Sequence, residues 1–152
     1  SANQPAELKG ENSLLSHWPV QIRLVPPHAP FLQNADLLIA ADCTAVAVRN
    51  FQEKYLDNKK VMMGCPKFDD AENYVQKFSD ILKLANLKSI TLLIMEVPCC
   101  HGLSKFVKDA CKMSGRADLV VEEHIMGING EIKAKNIING QAVKEENLVS
   151  LN

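Results

Sequence analysis

A chain of 152 residues with 47% hydrophobic and 23% charged residues is long enough for one domain with a real core. Its net charge of −1, with Lys and Arg spread along the chain, leaves no electrostatic footprint for nucleic acid or an anionic membrane surface. No apolar run approaches the roughly 18 to 20 residues that span a bilayer, and the polar N-terminus SANQPAELKGENS has no signal-peptide core.

Residues 1–15 read as a linker or the cut edge of a longer chain. Val20–Val25 alternates well enough for a first strand, stopped by Pro26-Pro27, and His28–Leu32 is a loop or a single helical turn. Ala35–Ala41 (ADLLIAA) is a strand apolar throughout, as buried parallel strands are, and it ends at Asp42-Cys43. Val46, Val48, Phe51 and Tyr55 then predict a short helix. Lys60–Gly64 is a very short strand ending at Cys65-Pro66.

Asp69 with Glu72 three residues on resembles a capping box. It opens a helix to about Ala85 whose apolar face is Tyr74, Val75, Phe78, Ile81, Leu82 and Leu84. Ser89–Met95 is an apolar run that reads as a strand buried on both faces, stopping at Pro98-Cys99-Cys100-His101-Gly102. Leu103, Phe106, Val107, Ala110 and Cys111 follow at helical spacing, and Gly115 suits the helix C-cap. Ala117–Met126 is a fifth strand, and the Asn129-Gly130 pair predicts a tight hairpin with an antiparallel addition. From Gly140 the tail is polar and is expected to fray.

Strands alternating with helices predict an α/β three-layer sandwich with a mostly parallel, Rossmann-like sheet of about five strands plus a C-terminal hairpin. The single domain spans residues 16–139, with a polar tail at 140–152. Right-handed crossovers place every parallel strand's carboxyl end on one edge, so Cys43, Cys65, Cys99 and Cys100 are expected there together.

Five cysteines, an odd number clustered at strand ends, do not form a secreted disulfide framework and point to a reducing, cytoplasmic setting. Thiolates are the standard ligands of iron–sulfur clusters and good ligands of zinc. Three chemistries stay open: a cluster passing single electrons, a structural zinc, or dithiol–disulfide cycling of Cys99-Cys100 with Cys43 or Cys65. Helix N-termini beside Cys43 and Cys100 are expected to favour the thiolate form. His101 is a further candidate ligand or proton donor.

The bland reading is that free cysteine behaves as a small buried hydrophobe, and it is adopted for Cys111. His17 and His28 read as packing or surface residues and His124 as structural. Asp42 and Glu96, at strand ends, read as loop caps, supports for the cysteines or acid–base groups. No GxGxxG follows a strand and no GxxxxGK[ST] occurs, so a nucleotide site lacks its signal.

The stretches HWPVQIRLVPPHAPFL, ADLLIAADC, GCPKFDDAENYVQK and MEVPCCHGL resemble the carboxyl-terminal part of a family of ferredoxin-type four-iron four-sulfur proteins of anaerobic microbes. The resemblance covers about residues 16–131. It implies a cytoplasmic redox role and electron transfer with a ferredoxin domain or redox partner protein. Carried over residue by residue, the cysteines that match are Cys43, Cys65, Cys99 and Cys100, candidate ligands of an iron–sulfur cluster, 4Fe-4S in type, or, if that family's cluster sits only in its ferredoxin half, a second centre or a docking and redox surface. The CxxCxxC motif of that family's ferredoxin half does not occur in these residues.

The sequence thus predicts an electron-transfer or binding domain rather than a stand-alone enzyme, with the alternatives of a zinc domain or a metal-free interaction domain. An enzymatic zinc reading, loosely similar to β-class carbonic anhydrases, meets a poor match. Asp42 precedes Cys43, and His101 directly follows the cysteines, where that family has Cys-x-Asp-x-Arg and His-x-x-Cys.

Overall fold

The computed structural model describes residues 2–140. In chain order its strands are β1 (Ala6–Glu7), β2 (His17–Trp18), β3 (Asp36–Ala41), β4 (Lys60–Gly64), β5 (Ser89–Met95), β6 (Val121–Met126) and β7 (Ile132–Asn139). The helices are α1 (Thr44–Ala47), α2 (Ala71–Leu84) and α3 (His101–Ser114). The main sheet runs β4-β3-β5-β6-β7, parallel except for the antiparallel β6–β7 pair. This is the α/β architecture that the alternation of strand and helix signals predicts. Among the described residues, no helix is long and apolar enough to cross a membrane.

The apolar strands are buried on both faces because helices cover both sides of the sheet. Leu37, Leu38, Ile39, Leu92, Leu93 and Ile94 are all essentially inaccessible. Two neighbouring residues of β6 identify the layers, since successive side chains point to opposite faces. Glu123 accepts hydrogen bonds from Ser104 of α3 and from Asn136 at 3.0 Å. His124 meets the other layer, where the Tyr55 hydroxyl of the π-helical turn Gln52–Leu56 lies 2.8 Å from its Nδ1. Its Nε2 is 2.9 Å from Glu122. With the hydroxyl as donor to Nδ1, the ring's proton sits on Nε2 and points to the Glu122 carboxylate. The helix α2 packs beside α3, with Tyr74 edge-on to Phe106.

The expected boundaries hold for β4, β5 and α3, and Gly115 takes the left-handed φ of +71° that a C-cap asks for. Gly130, at φ +88°, turns the chain into β7, and any Cβ there would come within 2.8 Å of the Ala47 carbonyl. Other expectations are corrected. Val20–Val25 is not a strand; a single parallel bridge joins Gln21 to Met63, and Leu24 and Val25 turn back to the Gln21 carbonyl. Ile22 and Val25 are buried three residues apart, a turn's spacing rather than a strand's.

The helix expected over Val46–Tyr55 is two pieces, α1 and the π-helical turn, separated at Asn50, which has a left-handed φ of 57°. The cap of α2 is Asp70, which accepts from the Glu72 amide at 3.0 Å, and not Asp69. Asp69 is engaged elsewhere, by Tyr74 and Arg23. The fifth strand begins at Val121, after a turn, rather than at Ala117. The stretch expected to be a linker is held to the domain: β1 pairs with β2, and Lys60 bonds Glu7 at 2.9 Å. Most of the expected polar tail, residues 141–152, lies outside the described residues.

His17 anchors this N-terminal segment to the sheet edge. Its ring is fully buried against Phe31, and its Nε2 accepts the Val61 amide at 2.8 Å, covering one of the edge strand's outward donors. Burial, and then the charge of Lys60, push its pKa from 6.5 down to about 4. In the unfolded chain the imidazole takes up a proton near pH 6.5, whereas the native ring refuses it until about pH 4. Acidification across that window therefore favours unfolding, and below it the effect stops growing. Denaturant titrations from pH 7 to pH 4 are expected to show a loss of up to about 3 kcal/mol. A His17→Gln variant, which keeps an acceptor for Val61, should lack that component.

Candidate functional site

Three adjacent strands deliver the cysteines to one edge. Ala41 of β3 pairs with Gly64 of β4, so Cys43 and Cys65 lie two and one residues beyond the same rung. On the other side of β3, β5 runs in parallel to Met95 and continues through Val97 into a 3₁₀ turn, Pro98–Cys100, that leads into α3. Parallel register therefore sets Cys43, Cys65, Cys99 and Cys100 at the carboxyl edge, where open α/β sheets place their ligands. Cys43 and Cys99 are exposed, Cys65 is half-buried and Cys100 is buried. All five cysteines are free thiols. Cys111, on the inner face of α3, is a core residue, and burial lifts its thiol to about 11.

The structure brings three of the four thiols into mutual influence. Burial raises the Cys100 thiol to about 11, against a backbone hydrogen bond at Met95, and the neighbouring Cys99 and Cys65 sulfurs push it further. The expectation that the α3 N-terminus favours the Cys100 thiolate is thus corrected: Cys100 does occupy the N-cap, but desolvation outweighs the helix dipole there. Cys43 caps α1, a helix of only four residues.

The Cys65 loop is locked from beneath by a group that sequence reading assigned only to a helix's apolar face. Tyr74 projects from α2 to the end of β4, where its hydroxyl donates to the Asp69 carboxylate and lies beside the backbone of Cys65. Burial first, then the Asp69 hydrogen bond and charge, push its pKa well above the usual tyrosine range. A Cβ at Gly64 would overlap this phenol oxygen and come within 2.9 Å of Ile22. Glycine is thus required by close approach, not by backbone angle. Arg23 completes the support, 3.5 Å from Asp69. These groups border a cleft of about 490 Å³ lined by Gln21, Arg23, Leu24, Asp42, Cys65, Phe68 and Asp69.

The other candidates are dispersed. His101 is exposed at the first turn of α3, and His28 is exposed in its loop. His124 is structural, bound between Tyr55 and Glu122, and His17 packs under the sheet edge. Glu96 is exposed beside the β6–β7 turn, its carboxylate 2.9 Å from where a Gly127 Cβ would stand. Four thiols at one edge match a thiolate-bound metal or cluster in kind and number. Their spacing does not: among the described residues, no three His, Cys, Asp or Glu side chains are grouped to hold a metal ion. A single chain therefore offers soft donors without a finished cage.

A family model described as "Rossmann-like domain" matches residues 29–151. A protein of Archaeoglobus fulgidus described as "Uncharacterized protein" is 32% identical over 119 residues, covering 78% of this chain and 83% of that protein. No solved structure matches the sequence.

Two outcomes follow from the site's geometry. In alkylation followed by mass spectrometry at neutral pH, Cys43 and Cys99 should label first and Cys65 later. Cys100 and Cys111 should react only after unfolding, because both thiols are buried and protonated. Gly64→Ala should cost about 2–3 kcal/mol in denaturant titration, since the Tyr74 ring is wedged in the core and cannot step aside. The same variant should speed Cys65 labelling as the loop loosens.

Proposed function

The chain belongs to the Rossmann-like domain family, and on that premise we propose that it is a redox accessory domain. Its thiols at the carboxyl edge, Cys43, Cys65, Cys99 and Cys100, would bind an iron–sulfur cluster, 4Fe-4S in type. In this fold the sheet supplies position and the loops supply chemistry, so function is argued from the edge rather than from the family. The observation that carries the reading is that the segments leaving three neighbouring strands, β3, β4 and β5, each reach cysteine at one edge.

A cluster held there supplies one-electron transfer. The chain's own residues contribute placement. Tyr74 and Asp69 hold the Cys65 loop, Pro66 and Pro98 restrict the backbone beside the thiols, and Cys43 and Cys99 face outward. The resemblance to ferredoxin-type proteins supports a cytoplasmic setting and a partner that is a ferredoxin domain or another redox protein.

One observation favours a second, metal-free reading: Cys99 and Cys65 stand near enough to Cys100 to push its thiol up. In that reading two thiols give up two protons and two electrons to a partner's disulfide. A protein disulfide forms, and the partner's sulfurs leave as thiols.

Metal and acid-labile sulfide analysis on protein purified without oxygen separates these. Iron and sulfide in equal amounts with broad visible absorbance are expected, and both should vanish when all four cysteines are changed to serine. Zinc alone would move the reading to a structural or hydrolytic site that includes His101. Colourless protein that stays free of metal after reconstitution would overturn the cluster. A reversible disulfide among Cys65, Cys99 and Cys100 would then establish the dithiol reading.

A further inference from the structure

The Cys65 loop lies between a cleft and a pair of thiols. The cleft, of about 490 Å³, is lined by Cys65 itself and is of the size that small molecules occupy. On its other side Pro66 packs on the first turn of α3, its Cβ 3.7 Å from where a Gly102 side chain would begin. Glycine at 102 thus lets this loop lie against the helix start, two residues beyond Cys100. Cys65 and Cys99 are also near enough to Cys100 to influence its thiol. A half-buried thiol therefore opens to a cleft and stands beside two further thiols.

The cleft sets opposite charges among apolar walls. Arg23, its side chain 74% accessible, meets Asp69 through one nitrogen at 3.5 Å. The remaining donors of its guanidinium are left for a carboxylate, which the planar fork suits. Asp42, exposed just beyond β3, offers a carboxylate that suits an ammonium group. Asp69 is already engaged by Tyr74 and Arg23, so Asp42 is the lining acid left to face a ligand. Leu24 and Phe68, 48% and 80% accessible, border the same space and offer apolar surface to carbon and sulfur. A ligand matching the whole cleft is small and zwitterionic, and carries a group that reacts with a thiol.

We propose that this cleft binds a small disulfide of a zwitterionic amino-acid thiol, of the cystine class, and that Cys65 attacks it. This deepens the metal-free dithiol reading above and rests on it. The Cys65 thiol gives its proton to solvent, and its sulfur bonds to one sulfur of the ligand. The ligand's S–S bond breaks, and its other half leaves as a thiolate that takes up a proton. A thiol of the Cys99-Cys100 turn loses its proton and attacks the Cys65 sulfur. A protein disulfide forms, and the second half of the ligand leaves as a thiol. Two protein thiols are oxidised and one small disulfide is reduced to two thiols, so protons and electrons balance.

The test mixes the full chain, purified without oxygen, with cystine, cationic cystamine, anionic dithiodiglycolate or neutral hydroxyethyl disulfide. Mass spectrometry then locates the modified cysteines over time. Cystine should modify Cys65 before Cys43 and Cys99, reversing the order that exposure sets for neutral reagents. Its rate at Cys65, divided by that of the neutral disulfide, should fall about tenfold in Arg23→Gln and in Asp42→Asn, as for one lost charge-assisted contact. Dividing by the neutral reagent removes any loosening of the loop that either variant brings. Cystamine and dithiodiglycolate should each fall short of cystine. The wild-type chain should end lighter by two hydrogens, with Cys65 joined to Cys99 or Cys100. Cys99→Ser with Cys100→Ser should instead retain half a cystine on Cys65.

Equal relative rates for all four reagents, with the Cys65 disulfide still forming, overturn the cleft and leave the dithiol reading standing. So does a preference for cystamine that survives Arg23→Gln. A Cys65 that forms no disulfide with any reagent overturns both, and iron bound to that same protein would assign the thiol to the cluster instead.

Discussion

Parallel hydrogen bonding of β3 to both of its neighbours is the constraint on which the rest of the molecule depends. Parallel strands cannot be joined by tight turns, so each must be followed by a crossover, and their common direction leaves every carboxyl end on the same edge. The ladder from Asp36–Ala41 to Lys60–Gly64 on one side and to Ser89–Leu93 on the other fixes three loops next to one another. Each of those loops opens with or soon reaches a cysteine. The ladder itself is secured by helices on both faces, which is why β3 and β5 carry almost no polar side chains.

The edge so formed is polar in chemistry but anchored by apolar packing. Tyr74 shows how the two are joined. Its ring belongs to the core between α2 and α3, while its hydroxyl emerges at the end of β4 and holds Asp69, which in turn faces Arg23. The Cys65 loop therefore inherits the rigidity of the α2–α3 layer. On the other side, the thiol of Cys100 is drawn under α3 and kept protonated by burial. A free thiol in that position is a packing group first. Its neighbours Cys43 and Cys99, in water, are the ones free to meet another molecule. The edge is thus divided between thiols that support and thiols that face out.

A similar division appears in β6, whose consecutive residues Glu123 and His124 serve opposite layers. Glu123 is satisfied by Ser104 and Asn136, and His124 by Tyr55 and Glu122. Buried polar groups of this kind are tolerable because each has its partner. They also tie the last parallel strand to α3 on one face and to the π-helical turn on the other, adding direction to what hydrophobic burial alone leaves free.

The sequence by itself determined the alternation of strands and helices, the near-continuous apolar strands, the glycine stops at Gly115 and Gly130, and the placement of four cysteines beyond strand ends. These are local properties: hydrophobic period, turn chemistry and chain order decide them, and parallel topology follows. Only the tertiary structure decided what those cysteines are. Cys99 and Cys100 are neighbours in sequence, yet one is in water and the other beneath a helix, because burial is set by packing across elements far apart in the chain. The same applies to Tyr74, whose helical spacing marks it as core but says nothing of the hydroxyl reaching β4. It applies as well to Asp69, which looks like a cap until Tyr74 and Arg23 claim it. His17 and Val61 are 44 residues apart, and their hydrogen bond turned an apparent linker into part of the sheet edge. Pattern reports which face a residue takes; long-range packing alone reports what it meets there.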